Sequence, residues 1–160
     1  MLTPAQLGTL KTAILADPVL NAFPNNTDGN PEIAKAFNLP AAPAFTVWRT
    51  NVSNTEIGNS FVGTELAGIT TGNQTRLQVI AQYSDQGVDP SRPDRRAFYD
   101  DVFSGAGGAN TRAKLLIAWK RLATRAEKLF ATGTGSDAVP ATMTFEGALS
   151  YVDVYNARIS

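Results

Sequence analysis

The chain has 160 residues, the length of a single domain, since one hydrophobic core commonly serves about 100–200 residues. Its 43% apolar and 18% charged content suits a folded protein, and 14 basic side chains balance 14 acidic ones, which removes the overall basicity of a dedicated nucleic-acid binder. The chain contains neither Cys nor His, which excludes disulfides, thiolate or imidazole metal sites, cysteine nucleophiles, Ser-His-Asp triads and histidine acid–base chemistry.

The first helix announces itself at Thr3, with Pro4 at its first position, Gln6 closing a capping box and Leu2 placed to pack on Leu7. Leu7, Leu10 and Ile14 form one stripe, and Asp17-Pro18 ends the element because a residue before proline avoids the helical region. Asn25-Asn26-Thr27-Asp28-Gly29 is turn chemistry, after which Asn30 as N-cap and Pro31 begin a short helix to about Asn38, with Ile33 and Phe37 inward. Pro40 and Pro43 keep the next stretch extended. Ser53 and Glu56 form a second capping box, with Val52 against Ile57, and start a third helix that reaches about Phe61.

A fourth helix is predicted from Thr71 to about Gln86 on the spacing of Leu77, Ile80 and Ser84, with Gly87 as its left-handed stop. Ser91-Arg92-Pro93-Asp94 starts a fifth, whose Phe98, Tyr99, Val102 and Phe103 form a wide apolar face before Gly105. Asn110 is placed to cap the longest element, Thr111 to about Ala131, where Leu115, Trp119, Leu122, Ala126 and Leu129 alternate steps of four and three. At 1.5 Å per residue it would span roughly 30 Å.

Beyond Ala131 the composition turns to Gly, Thr, Ser, Ala and Pro through Thr144, as in a flexible or extended arm. Met143 and Phe145 share one face of a short strand there, and Leu149, Val152 and Tyr155 one side of a last short helix. Together these elements predict an all-α fold: a bundle of about six helices around the long one, residues 1–131, followed by a flexible C-terminal arm, residues 132–160. Deleting the arm should then leave the bundle folded. An α+β alternative places a small hairpin near Phe45 and Phe145. The first twenty residues, broken by Pro4, Gly8, Lys11, Asp17 and Pro18, are unlike a signal peptide, and no run of about 18 apolar residues offers a membrane span.

Charge is uneven along the chain. Residues 1–91 hold four basic and seven acidic groups, 92–128 nine and four, and 129–160 one and three. Arg112, Lys114, Lys120, Arg121, Arg125 and Lys128 would share the long helix with only Glu127 opposing them, giving a solvated face, a docking surface for an acidic protein or a phosphate contact. The balanced net charge speaks against DNA. Asn25, Asn26, Asp28, Asn30 and Glu32 superficially resemble a calcium loop but lack its terminal bidentate glutamate, and a turn followed by an N-cap explains them. Gly133-Thr134-Gly135-Ser136 lacks the lysine of a phosphate loop. Asp100 and Asp101, about 100° apart on a helix, cannot act as an acid–base pair, and Trp48 beside Val47 reads as a core anchor. No catalytic, cofactor or metal residue is assigned.

Several segments carry a resemblance: Leu2-Thr3-Pro4-Ala5-Gln6-Leu7; Asn25-Asn26-Thr27-Asp28-Gly29; Val47-Trp48-Arg49-Thr50 with Val52 and Glu56-Ile57; Ala123-Thr124-Arg125-Ala126-Glu127-Lys128-Leu129 running into Ala131-Thr132-Gly133-Thr134-Gly135; and Pro140-Ala141-Thr142-Met143 with Phe145-Glu146-Gly147 and Ser150-Tyr151-Val152-Asp153-Val154. They resemble a family of small tailed-bacteriophage and prophage proteins encoded among head and tail morphogenesis genes. The similarity is strongest at both ends and weakest over residues 60–108. It implies a non-enzymatic virion protein without cofactors, a head-tail connector or adaptor subunit. Such a subunit would assemble with its own copies in a ring, beside the portal and tail proteins. It would pass through the host cytoplasm to the head-tail junction, with no membrane contact. The partner surface expected on this basis comprises Arg112, Lys114, Lys120, Arg121, Arg125 and Lys128 with Met143, Phe145, Leu149, Tyr151 and Tyr155. The rival expectation is a DNA-binding or packaging factor that uses the basic helix.

Overall fold

The computed structural model describes residues 1–83 and 87–160, and among these the chain is mostly helical, with 57% helix against 10% strand. In chain order the helices are α1 (Pro4–Ala16), α2 (Pro18–Asn21), α3 (Gly29–Asn38), α4 (Asn54–Ser60), α5 (Gly63–Gly68), α6 (Thr71–Tyr83), α7 (Pro93–Val102), α8 (Ala109–Ala118), α9 (Arg125–Leu129) and α10 (Tyr151–Ile159). The strands are β1 (Thr46–Trp48), β2 (Lys120–Leu122), β3 (Ala131–Thr132) and β4 (Thr142–Met143), paired β1 with β2 and β3 with β4. The chain divides into two compact units, Met1–Val47 with Leu122–Ser160, and Trp48–Arg121, so the boundary falls within β1 and again within β2.

In the first unit α1 begins as its sequence dictates. The Thr3 hydroxyl accepts from the Gln6 amide, the Gln6 side chain accepts from the Thr3 amide, and Pro4 occupies the first turn. Leu10 and Ile14 are fully buried against Ile33 and Phe37 of α3 and Val154 and Ala157 of α10, and each such side chain contributes about 1.5–3 kcal/mol relative to exposure. The helix α3 starts two residues earlier than the Asn30 cap predicts. Asn26 Oδ1 accepts from the Asp28 and Gly29 amides, while Asn30 lies inside the helix, buried, and donates to Asn25 Oδ1. Of the oxygens that resembled a calcium loop, those of Asn25 and Asn26 are occupied in folding the turn, that of Asn30 accepts from Arg158, and Glu32 pairs with Lys35. Gly29 is required there, because a Cβ would lie 2.1 Å from the Pro24 carbonyl oxygen.

The long helix from Thr111 to Ala131 does not form. It stops at Ala118, the chain runs extended through β2, and α9 begins afresh at Arg125. The reason is a capping box that the alternating pattern concealed: the Thr124 hydroxyl accepts from the Glu127 amide and the Glu127 carboxylate from the Thr124 amide. What read as one stripe is two. Leu115 and Trp119 belong to the core of the second unit, Ala126 and Leu129 to that of the first, and Leu122 between them is 62% exposed.

The flexible arm of residues 132–160 is also corrected. The strands β3 and β4 pair antiparallel, Ala131 opposite Met143 and Thr132 opposite Thr142, and between them Gly135, Pro140 and Ala141 are buried. Thr46 donates from its amide to the Gly135 carbonyl at 2.7 Å and accepts from the Ala141 amide at 3.0 Å. The expected pairing of segments near Phe45 and Phe145 thus reduces to a single parallel bridge between Val47 and Ala141. The helix α10 packs on α1 and α3. Asn38 makes a reciprocal amide pair with the Leu149 backbone (2.9 and 2.8 Å), and Arg158 donates to the Phe23 carbonyl and to Asn30 Oδ1.

The second unit carries the predicted Ser53–Glu56 capping box at α4, with Val52 and Ile57 buried beside Val102, Phe103, Leu115 and Trp119. Phe98 and Tyr99 of α7 stack edge-on, as do Tyr99 and Trp119. The helix α5 was not foreseen. The end predicted for α6 at Gln86, and with it the role of Gly87 as its stop, lies outside the described residues; Gly87 itself has a φ of +111°, and a Cβ there would lie 2.3 Å from the Val52 carbonyl oxygen.

Removing residues 131–160 deletes Leu149, Val154 and Ala157 from a core that α1 and α3 cannot close alone. The truncated chain is expected to lose the cooperative thermal transition of the first unit, followed by circular dichroism. A truncated chain that melts as sharply as the full one would restore the arm.

Candidate functional site

Breaking the long helix disperses its cations. Arg112 and Lys114 remain on α8, Lys120 and Arg121 lie on β2, and Arg125 and Lys128 lie on α9. Arg112 is spent on folding, since its Nη1 donates to the carbonyls of Phe103 and Gly105 and closes the loop after α7. Lys114 is exposed, and Lys120 and Arg121 are half-buried and partnered. Arg125 donates to Asp17 at 2.8 Å with its guanidinium 4.6 Å from the centre of the Phe37 ring, and Lys128 Nζ stands 5.5 Å from that of Phe45. The six do not form one helical face.

The apolar residues assigned to a partner surface divide likewise. Met143 and Leu149 are buried in the first unit, and Phe145 packs edge-on against Phe130 at 5.4 Å. Tyr151 and Tyr155 are exposed on α10 with Val152, beside a small cleft of about 160 Å³. Of the five, the two tyrosines remain available to a partner.

Three carboxylates matter that the sequence analysis did not single out as sites. Glu65 of α5 is buried and supplies the cap that Asn110 was expected to provide. It accepts from the Asn110 amide, the Asn110 side chain and the Thr111 amide, the last at 2.7 Å, while the Thr111 hydroxyl accepts from the Val62 amide. Burial raises the Glu65 pKa, but the hydrogen bonds from Thr111 and Asn110 outweigh it and hold the group below its ordinary value. A separation of 45 residues leaves no local signal for this cap. A cavity of about 460 Å³ adjoins it, lined partly by Thr64, Asn73 and Ser104.

Glu56 is the second. Hydrogen bonds from Arg49 first, then from the Ser53 side chain and amide, lower its pKa to about 2. Glu127 is the third, 2% exposed, and its Oε1 also accepts from the Gly147 amide at 3.1 Å. Among the remaining candidates, Asp101 is paired with Arg76 at 2.6 Å and Asp100 is exposed. Trp48 is half-buried with the Arg96 guanidinium 4.1 Å above its ring, so it is a core residue with one face on a cation. Burial pushes the Tyr99 phenol up to about 12. No group of three or more Asp or Glu placed to hold a metal ion occurs among the described residues, and none of their helices is long and apolar enough to cross a membrane.

Two tests follow from these carboxylates. Glu127→Ala removes the acceptor of the part-buried Thr124 and Gly147 amides and should destabilise the first unit by about 2 kcal/mol in urea denaturation, whereas Glu127→Gln, which still accepts, should recover most of that. Equal stability of the alanine variant and the parent would refute the role. Because the Glu56 pKa is lower in the fold than its ordinary 4.5, the group stabilises the fold above that pH, and the contribution is lost as pH falls from 4.5 through about 2. Glu56→Gln should flatten the stability profile across that window and leave its slope above pH 6 unchanged.

Comparison of the chain with protein-family models, with curated proteins and with solved structures gives no match.

Proposed function

We propose that the chain is a structural virion protein of a tailed phage, a head-tail connector subunit that assembles with copies of itself into a ring between portal and tail. One observation supports this most: the segments that resemble the phage family follow a structural division rather than scattering through the chain. Residues 2–7, 25–29, 123–135 and 140–154 all fall in the first unit, while residues 60–108, where the resemblance is weakest, fall wholly in the second. The segment from Val47 to Ile57 is the exception, since all of it beyond Val47 lies in the second unit.

Exposed Tyr151, Val152 and Tyr155 on α10 supply an apolar face of the kind that tightly associating subunits cover. The rival DNA-binding function draws no support from the basic segment, whose cations are divided among three elements and partly engaged in holding the fold.

Purified particles probed for the protein, together with DNA binding measured against salt, provide the test. The connector assignment predicts presence at a ring-like copy number and no steep salt dependence. Absence from particles, with an affinity that falls steeply as salt rises, would replace it with the packaging factor.

A further inference from the structure

Within the first unit, α1, α3, α9 and the segment around Ala41 enclose a cleft of about 410 Å³, in the size range of small-ligand sites at roughly 300–1,000 Å³. Its walls are apolar, formed by Ala13, Phe37, Ala41, Ala42 and Leu129. Arg125 and Lys128 complete the lining, three residues apart on α9 and therefore on one side of a single turn.

Both cations are held in place. The Arg125 guanidinium lies over Phe37 and gives one of its five donors to Asp17, and Lys128 lies over Phe45 with no ion pair among the described residues. The frame beneath them is also set: the Ala41 amide donates to the Ala123 carbonyl at 3.0 Å, and the Arg125 amide to the Leu39 carbonyl at 2.8 Å. Asp17 offsets Arg125, so the cleft carries one uncompensated positive charge above an apolar floor. An uncharged apolar occupant would leave that charge desolvated and unpaired. A phosphodiester backbone would meet only two cations and leave the floor uncovered. A carboxylate next to an apolar side chain satisfies both halves.

We propose that this cleft binds an acidic peptide segment of a partner protein, seating one apolar side chain on the surface formed by Ala13, Ala42 and Leu129 and one carboxylate against Arg125 and Lys128. The inference does not rest on the connector assignment, since any acidic partner of this chemistry would fit.

The test titrates the full ¹⁵N-labelled chain with acetyl-Asp-Phe-amide and with its neutral isostere acetyl-Asn-Phe-amide, followed by amide chemical shifts. The acidic peptide should give saturable shifts centred on Ala13, Ala41, Ala42 and Leu129, and the neutral one should bind about tenfold more weakly, the effect of losing one charge-assisted hydrogen bond. Lys128→Gln should weaken the acidic peptide by a similar factor while leaving the amide spectrum otherwise that of the folded parent, and Lys128→Arg should restore binding. Equal binding of the two peptides, or acidic-peptide shifts that avoid the cleft, would overturn the proposal. So would a short DNA duplex that perturbs the same amides more strongly than the acidic peptide does.

Discussion

The buried carboxylate of Glu127 is the constraint on which the first unit depends. A carboxyl group only 2% exposed is tolerated because it accepts hydrogen bonds, among them those from backbone amides of two separate stretches, Thr124 at the start of α9 and Gly147 before α10. The carboxylate therefore does two things at once. It restarts the helix after an extended segment, and it ties down the chain that leads to α10. Gly147 can turn there at a φ of +111° because it carries no side chain.

The second unit uses the same device at a longer range. Glu65 on α5 caps α8 from 45 residues away, and Thr111 returns a hydrogen bond to Val62, so neither helix end is left with orphaned buried donors. Arg49 and Glu56 add a half-buried counterpart at α4, where the same carboxylate closes a capping box and pairs with a guanidinium. Carboxylates at helix starts recur in both units, which accounts for much of the acidic complement and explains why so few acidic groups remain free for chemistry. Among the cations, Arg49, Arg76 and Arg125 pair with carboxylates, whereas Lys114 and Lys128 have no ion pair among the described residues, Lys128 at the mouth of a cleft.

Local signals read directly from the chain were sound where a helix start is self-contained. The boxes at Thr3–Gln6 and Ser53–Glu56 form with the partners their spacing implies, and Leu10, Ile14, Ile33, Phe37, Tyr99 and Leu115 are buried as their periodicity requires. The candidate surface was less legible. Met143 and Leu149 look like apolar residues of a mobile arm until the core that buries them is seen, and Arg112 looks like a free cation until the loop before α8 brings the Phe103 and Gly105 carbonyls to it.

What the amino-acid sequence determined by itself was whatever a few neighbouring residues decide: where helices begin, which face of each is apolar, and the absence of thiol and imidazole chemistry. Only the tertiary structure decided that residues 111–131 are a helix, a strand and a second helix, because a stripe in steps of four and three is the same whether it faces one core or two in succession. The box at Thr124 and Glu127 was written in the chain, yet an uninterrupted helix satisfies the same hydrophobic spacing. The competition is settled by long-range bonds, to the Phe45 and Leu39 carbonyls and from the Gly147 amide, which cost loop-closure entropy and leave no trace in local periodicity. For the same reason the Gly- and Thr-rich run after Ala131 reads as a flexible linker until Thr46 supplies the backbone partners that fold it.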